Sequence, residues 1–329
     1  MKQLTILLLA TLSVISALAS PGLTASTSVS AGDTSDFILK TAQGSIYGTL
    51  ETPTNSGKVP VILIIAGSGP TDRNGNALKL GVNTNMYRQL ADSLSRHGIA
   101  SLRYDKRGVA ASSAAMKSES DMRFDNYIDD AIGFIKMLRA DQRFSRIIVL
   151  GHSEGSLIGM VAAGRAPADA YISVAGAGDR IDKIIERQLA VQSAPLAAKA
   201  TILLDSLSKG LTVQDPGNGL SILFRPSGQP YLISWINYNP QQEIRRLHIP
   251  VLILQGTTDL QVSVGDADSL KKADPQATLQ LIDQMNHVFR QVSDDQNNNI
   301  ATYKNPDLPL KPELVSDIVA FTRLTSHSH

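Results

Sequence analysis

Five short apolar runs, separated by stretches with helical periodicity, leave few folds open to this chain. The runs are rich in β-branched residues and lack the alternation of apolar and polar side chains, as strands do when both faces of their sheet are covered. They span residues 59–65, 99–104, 146–150, 170–174 and 250–254. Amphipathic helical patterns fill the intervals, for example at 86–97 and 124–140. The sequence therefore predicts the α/β class, with a mostly parallel central sheet flanked by helices.

Residues 37–52 have a different pattern, in which apolar and polar side chains alternate around Gly44 and Gly48. This alternation is typical of a hairpin with one covered face. We therefore expect an antiparallel edge of the sheet here, and we place the start of the folded core at residue 36.

The alternation of strand and helix stops between residues 179 and 242. A long amphipathic stretch, 181–209, precedes a segment that Pro and Gly punctuate and that contains Phe224, Tyr231 and Trp235. We interpret this region as a helical lid inserted over the carboxyl edge of the sheet. A longer crossover helix with a disordered loop is the alternative, which the aromatic residues disfavour. The predicted core has two parts, residues 36–178 and 243–325. The lid, residues 179–242, lies between them, and residues 326–329 form a tail.

The first 19 residues have the pattern of a secretory signal peptide, with a basic head, an apolar stretch at 4–18 and small residues at the exit. A single transmembrane anchor would need about 20 apolar residues, and hydroxyl residues interrupt this shorter stretch. We expect cleavage after Ala19, with Ala25 as a second candidate, and an exported protein that is periplasmic or extracellular. Residues 20–35, rich in Ser, Thr and Ala, are predicted to form a flexible leader.

Composition excludes several classes of function. Apolar residues make up 43% and charged residues 19% of the chain, which fits a packed globule, and 31 basic side chains balance 30 acidic ones. This near-neutrality gives no support for a nucleic-acid or anionic-membrane partner. The chain has no cysteine, so thiol catalysis, thiolate metal sites and disulfides are excluded together. Nothing in the composition fixes an oligomeric state.

The pattern Gly-x-Ser-x-Gly follows the apolar run directly, at residues 151–155, and a helix-compatible stretch comes after it. In this strand-turn-helix setting the serine occupies a strained turn, which glycines on either side make sterically possible. Ser153 is therefore the candidate nucleophile, and the backbone N–H of Glu154, at a helix N-terminus, is a candidate oxyanion donor. The competing interpretation is an incidental glycine-rich turn.

Two later strand ends offer the partners that such a serine needs. Asp259 lies just beyond the run at 250–254, and His287 lies in the loop after the strand-like residues 278–282. A carboxylate on the far nitrogen of an imidazole fixes its tautomer and stabilises its charged form. Other carboxylates nearby are assigned to a solvated helix face: Asp266, Asp268 and Asp274. Of the six histidines, the others are assigned elsewhere, with His152 inside the elbow and pointing away.

The loop after the first parallel strand, residues 66–75, is the expected source of a second oxyanion donor. We assign the backbone N–H of Ser68, with Gly69 as the alternative register. The loop lacks the Gly-Lys-Ser/Thr ending of a phosphate loop. The charged turn Arg-Tyr-Asp-Lys-Arg-Gly at 103–108 is interpreted as a salt-bridged brace for this loop, in preference to a charged substrate site.

With these motifs the chain resembles bacterial α/β-hydrolases, in particular secreted or periplasmic carboxylesterases. The resemblance is carried by the Gly-Ser-Gly-Pro-Thr-Asp-Arg-Asn-Gly loop, the Arg-Tyr-Asp-Lys-Arg-Gly turn and the Gly-His-Ser-Glu-Gly elbow, and it covers residues 37–321. It implies the α/β-hydrolase fold, carboxylesterase activity on small-molecule esters, a triad of Ser153, Asp259 and His287, and no cofactor or metal. The chain lacks the His-Gly-Gly-Gly loop of lipases, which argues against long-chain triglycerides.

Three functional hypotheses follow from this sequence. The first is an esterase, and bulky lid residues, with Tyr231 and Trp235 as substrate-binding candidates, predict a closed pocket for short acyl chains. The second is a serine peptidase, either an aminopeptidase or an acyl-peptide hydrolase, on the same triad. The third is a non-catalytic binding protein on a hydrolase scaffold, which the complete triad disfavours.

Overall fold

An eight-stranded sheet forms the centre of the protein in a computed structural model, which describes residues 32–54, 57–293 and 295–324. The proposed signal peptide and tail lie outside the described residues, as does all but the end of the leader. The strands are β1 (Asp33–Thr41), β2 (Gly44–Thr52), β3 (Val59–Ile65), β4 (Ala100–Tyr104), β5 (Phe144–His152), β6 (Ala170–Val174), β7 (Val251–Gly256) and β8 (Thr278–Ile282).

The strand order is β1-β2-β4-β3-β5-β6-β7-β8. Strands β1 and β2 pair antiparallel with each other, and β2 pairs antiparallel with β4. The remaining neighbours are parallel. The mostly parallel sheet that the sequence predicts is therefore confirmed, together with its antiparallel edge.

Helices cover both faces of the sheet. They are α1 (Met86–Arg96), α2 (Phe124–Ala140), α3 (Glu154–Arg165), α4 (Ile181–Gln192), α5 (Ala194–Ser208), α6 (Gln229–Ile236), α7 (Pro240–Arg245), α8 (Val264–Ala273), α9 (Gln296–Ala301) and α10 (Pro312–Leu324). Short 3₁₀ turns lie at Leu78–Leu80, Ala110–Ala115, Glu119–Asp121, Pro226–Gly228 and Thr302–Lys304. None of the described helices combines the length and the apolar composition needed to cross a bilayer.

Strand β5 shows why the central strands are continuously apolar. Ile147 and Val149 point into the core beneath α2 and α3, whereas Ile148 and Leu150 point into the core beneath α1 and α10. Successive side chains of a strand alternate between the two faces, and here both faces are buried.

The start of the core differs from the prediction at residue 36. Strand β1 begins at Asp33, which pairs with Thr52, and the β1–β2 hairpin closes between Thr41 and Gly44. Residues 33–35 therefore belong to the sheet and not to the leader. The side chains of 33–36 are polar and exposed, so they give no apolar signal. Backbone pairing with β2 and a hydrogen bond from the Thr52 hydroxyl to the Asp33 carbonyl hold this end of the strand.

The predicted insertion is present between β6 and β7 as helices α4 to α7, and its long amphipathic stretch is broken into two helices. Ser193 caps α5 by accepting a hydrogen bond from the Leu196 N–H, and Pro195 occupies the first turn of that helix. The aromatic residues of the insertion are packed, since Trp235 stacks on Phe124 of α2 with ring centroids 5.3 Å apart. The disordered-loop alternative is therefore wrong for this segment.

Glycine allows helix α3 to approach the sheet closely. A Cβ atom at Gly155 would lie 2.3 Å from the Ile65 carbonyl oxygen of β3, and one at Gly151 would lie 2.1 Å from the Gly155 carbonyl oxygen. Both contacts are with backbone, which cannot rotate away as a side chain can. The first turn of α3 is consequently pressed against the carboxyl end of β3.

The Gly155→Ala substitution should therefore displace the first turn of α3 and destabilise the protein by about 1–3 kcal/mol or more, as overpacking does. The matched control is Gly164→Ala in the last turn of α3, where the new Cβ meets its nearest neighbour, Leu247 Cδ2, at 3.6 Å. That variant should be neutral or gain up to roughly 1 kcal/mol of helix propensity. Urea unfolding followed by circular dichroism measures both, and equal stabilities would contradict this account of the contact.

Candidate active site

Ser153 lies in a sharp turn between the end of β5 and the start of α3. Its backbone has φ 55° and ψ −121°, a conformation that costs a non-glycine residue about 1–3 kcal/mol. The turn is held by the Ser153 N–H, which donates to the Val174 carbonyl at 3.0 Å, and by the Ser156 N–H, which donates to the Ser153 carbonyl at 2.9 Å. The half-buried side chain lines two cavities at the carboxyl edge of the sheet.

Asp259 and His287 meet as the sequence predicts. His287 Nδ1 lies 2.8 Å from Asp259 Oδ2, and both side chains are buried. Since the carboxylate only accepts hydrogen bonds, Nδ1 carries the proton and Nε2 of the neutral ring is left as a proton acceptor. The backbone N–H groups of Gln261 and Val262 donate to Asp259 Oδ1 at 2.7 and 3.0 Å, which fixes the carboxylate plane.

Asn286 anchors the histidine loop, a role that the sequence analysis missed. Its side-chain oxygen accepts from the Arg290 N–H at 2.9 Å, and its amide donates to Asn299 at 3.0 Å and Thr302 at 2.8 Å. Asn299 in turn donates to the carbonyl of Thr258, the residue before Asp259, at 2.7 Å. The buried side chains of Asn286 and Asn299 thus join the loop of His287 to the loop of Asp259.

The prediction that Asp266 lies on a solvated helix face is wrong. Its side chain is buried, accepts hydrogen bonds from Ser263 at the N-terminus of α8, and forms a 2.8 Å salt bridge with Arg187 of α4. Periodicity alone gave no sign of this contact, because Arg187 comes from the insertion. The carboxylate caps a helix and ties the insertion to the core.

The prediction that His152 points away from the site is also wrong. Its ring packs against His287 with centroids 4.6 Å apart and lines the larger cavity. Its Nε2 lies 3.0 Å from the His287 carbonyl oxygen, and its Nδ1 lies 2.7 Å from the Tyr87 hydroxyl. Burial and the neighbouring His287 ring hold the pKa of His152 well below its ordinary value, so the ring is neutral.

The tautomer of His152 follows from these partners. Since the His287 carbonyl is only an acceptor, Nε2 carries the single proton of the neutral ring, and Nδ1 accepts from the Tyr87 hydroxyl. The Tyr87 oxygen accepts in turn from the Gly67 N–H at 3.0 Å. A buried chain of hydrogen bonds therefore runs from the loop after β3 to the backbone of His287.

The two predicted oxyanion donors lie beside Ser153. Ser68 lines both cavities with Ser153, and Glu154 lines the smaller one. Within the described part of the chain, neither backbone N–H donates a hydrogen bond, and that of Glu154 is in the first turn of α3, where a helix has no internal acceptor for it. Gly69, the alternative register, lines neither cavity.

The predicted brace for this loop is confirmed. Asp105 accepts from the Arg73 N–H at 2.8 Å and from the Arg73 guanidinium at 2.7 Å. Both arginines of the charged turn have buried carboxylate partners: Arg103 pairs with Glu51, and Arg107 pairs with Asp130. None of these side chains lines either cavity beside Ser153.

The sequence makes no separate prediction for Lys106, which belongs to the same turn. Its ammonium is buried, donates to the Gly67 carbonyl at 2.6 Å and lies 3.1 Å from Glu154 Oε1. Its position two residues after β4 could have indicated that it lies near Ser153, because the carboxyl ends of parallel strands share one edge of a sheet.

Two cavities of different size flank Ser153. The larger, about 230 Å³, lies on the side of His287, whereas the smaller, about 70 Å³, lies between α3 and the insertion and is not lined by His287. The smaller cavity is walled mainly by apolar side chains, which include Leu157, Ile181, Ile184, Ile185, Leu223, Leu232 and Trp235.

The structure separates the two predicted substrate-binding residues. Trp235 lines the smaller cavity, as expected of a pocket residue. Tyr231 lines neither cavity, and its buried hydroxyl donates to Glu154 Oε1 at 3.0 Å. Tyr231 therefore contacts Glu154 and does not face either cavity, and its ring packs against Phe124 and Tyr127 of α2.

The chain is similar in sequence to a peptidase family profile and to an esterase. A family profile described as serine aminopeptidase, S33 (Hydrolase_4) matches residues 80–224. The esterase EstD of Thermotoga maritima is 29% identical over 248 residues, which are 74% of this chain and 57% of that protein. The chain thus spans little more than half the length of this curated relative.

Solved structures resemble the whole described fold. The α/β-hydrolase GrgF from a Penicillium species superposes with a TM-score of 0.59 and 17% identity, covering 89% of this chain and 99% of that one. Est1E from Butyrivibrio proteoclasticus superposes with a TM-score of 0.56 and 16% identity, covering 88% and 99%. The fold of this protein is therefore the α/β-hydrolase fold, as predicted.

Proposed function

We propose that this protein is a serine hydrolase that cleaves short-acyl carboxylic esters through an acyl-enzyme on Ser153. The observation that carries the proposal is the arrangement of Ser153 and His287 on one cavity, with the far nitrogen of His287 held 2.8 Å from Asp259. This is the arrangement that activates a serine hydroxyl in acyl transfer. The esterase EstD supports ester hydrolysis as the reaction.

In the proposed mechanism each of these groups has one role. Ser153 Oγ attacks the ester carbonyl carbon while its proton passes to His287 Nε2, and the carbonyl oxygen becomes an oxyanion that accepts from the Ser68 and Glu154 N–H groups. His287 then gives the proton to the leaving alkoxide, and the ester C–O bond breaks. Water enters, loses a proton to the same nitrogen and adds to the acyl carbon, after which the acid leaves and Ser153 regains its proton.

The two cavities receive different parts of the ester. The leaving oxygen must be within reach of His287, so the alcohol part occupies the larger cavity, which His287 lines. The acyl part then occupies the smaller cavity, which the insertion closes with Trp235 and Leu232. A volume of about 70 Å³ limits this part to a short chain.

Export is part of the same proposal. The pattern of residues 1–19 supports cleavage by a signal peptidase and a periplasmic or extracellular location. We also propose, from the resemblance carried by its three motifs, that the chain belongs with secreted or periplasmic carboxylesterases.

A serine peptidase is the second candidate, and one feature of the smaller cavity favours it. The carboxylates of Glu154 and Asp179 both line that cavity, where the α-ammonium group of an aminoacyl substrate would lie. The S33 aminopeptidase profile is in keeping with this alternative. Glu154 already accepts from Lys106 and Tyr231, which leaves less of its charge for a substrate and favours the ester.

A panel of substrates on purified protein separates the candidates. We expect hydrolysis of p-nitrophenyl acetate and butyrate, labelling by a fluorophosphonate, and loss of both in Ser153→Ala, because that variant lacks the hydroxyl that accepts the acyl group in the proposed mechanism. Asp259→Asn should lose roughly 10⁴-fold in kcat through the wrong imidazole tautomer. Asp266→Asn is the matched control and should lower stability with little change in kcat. Faster cleavage of aminoacyl-p-nitroanilides would establish the peptidase, and absence of labelling and turnover would leave a binding protein.

Acyl-chain preference tests the assignment of the smaller cavity. Each added methylene gains up to about 0.8 kcal/mol while it fits, so kcat/KM should rise to an optimum between roughly two and six carbons and then fall. Trp235→Ala should move the optimum to longer chains, although loss of its stacking on Phe124 also lowers stability. Phe224→Ala is the control, since Phe224 is also buried but does not line the cavity. An optimum that Trp235→Ala leaves in place would refute this assignment.

A further inference from the structure

The ammonium of Lys106 is a buried positive charge near Ser153, with 1% of its side chain exposed. Lysine is almost never fully buried unless its charge is paired. Its contacts are the Gly67 carbonyl at 2.6 Å, Glu154 Oε1 at 3.1 Å and the face of the Tyr127 ring at 4.9 Å from the centroid. The simplest interpretation makes Lys106 a counter-charge for Glu154, yet its shortest contact is with the backbone of Gly67.

The contact with Gly67 determines the direction of a second group. The Gly67 carbonyl and the Ser68 N–H belong to one planar peptide unit and point in opposite directions. A donor that fixes the carbonyl therefore also fixes the N–H. The preceding peptide is held as well, because the Gly67 N–H donates to Tyr87 at 3.0 Å. Gly67 lies against the nucleophile, since a Cβ there would be 3.2 Å from Ser153 Cβ.

We propose that Lys106 is a positioning residue for the oxyanion site, whose hydrogen bond to the Gly67 carbonyl holds the Ser68 N–H on the developing oxyanion. The inference rests on the proposed esterase function. A charged donor on the carbonyl also polarises the peptide unit and strengthens its N–H as a donor. Lys106 acts through the backbone and does not contact the substrate, which agrees with its absence from the lining of both cavities.

A comparison of variants that both lack the Glu154 carboxylate separates positioning from charge neutralisation. Lys106→Met alone would leave the Glu154 carboxylate buried without its partner, so Lys106→Met/Glu154→Gln is the test and Glu154→Gln is its reference. The amide oxygen that Glu154→Gln introduces keeps an acceptor for Tyr231 in both proteins. They differ at Lys106 itself, whose shortest contact is with the Gly67 carbonyl. Relative to the reference, kcat for p-nitrophenyl acetate should fall about 10- to 100-fold, part of the 10²–10³ that a lost oxyanion donor costs.

Separate measurement of kcat and KM shows whether the loss of Lys106 affects the oxyanion or the binding of substrate. KM should change little, because the oxyanion forms only after binding, and the Ki of a boronic acid that mimics the tetrahedral intermediate should rise in proportion to the loss in kcat/KM. Circular dichroism and urea unfolding confirm that the variants are folded. If the methionine variant does not fold, Lys106→Gln/Glu154→Gln replaces it, and the same loss is expected, since its amide nitrogen ends one bond short of the lysine nitrogen.

Two results would overturn the proposal. A double variant whose kcat is within about threefold of that of Glu154→Gln would make Lys106 a counter-charge only, because the expected loss is a sizeable part of what a missing oxyanion donor costs. A rise in KM at unchanged kcat would place its effect on substrate binding. Failure of the proposed function looks different, because the wild-type protein itself would then neither hydrolyse the ester nor react with a fluorophosphonate.

Discussion

Helix α3 is packed against strand β3 without room for a Cβ atom at Gly155, and the position of Ser153 depends on that contact. The turn before the helix must be tight, so Ser153 takes a backbone conformation with positive φ that an unconstrained serine avoids. The sheet supplies the free energy that holds this conformation, since both faces of β5 are buried. The same contact places the N-terminus of α3, and with it the Glu154 N–H, at the end of β3.

Buried polar contacts then join the loops that surround this turn. The hydrogen-bond chain through Tyr87 and His152 links Gly67 to the backbone of His287, and Lys106 fixes the other side of Gly67. Polar groups buried in a low-dielectric interior are costly when unpaired and directional when paired. We infer that this site is pre-organised by its neighbours before a substrate binds.

The sequence predicts those features of the fold that arise from local pattern. Strand β5, the elbow and the strand ends before Asp259 and His287 follow from apolar periodicity and glycine placement, and the structure has them where they were expected. The start of β1 was missed because its side chains are polar and exposed and therefore give no apolar pattern. The partners of His152 and Lys106 were missed because they lie far along the chain, 65 residues away for Tyr87 and 39 for Gly67. Such contacts exist only after the sheet has assembled.

In the mechanism that we propose, the Ser68 and Glu154 N–H groups point at the oxygen of a tetrahedral adduct on Ser153. A crystal structure of the protein after reaction with a small fluorophosphonate tests it most directly, because the phosphonyl oxygen takes the place of the oxyanion. We predict that this oxygen lies about 2.7–3.1 Å from both nitrogen atoms. An adduct whose oxygen faces solvent, or accepts from the Gly69 N–H in place of Ser68, would contradict the account.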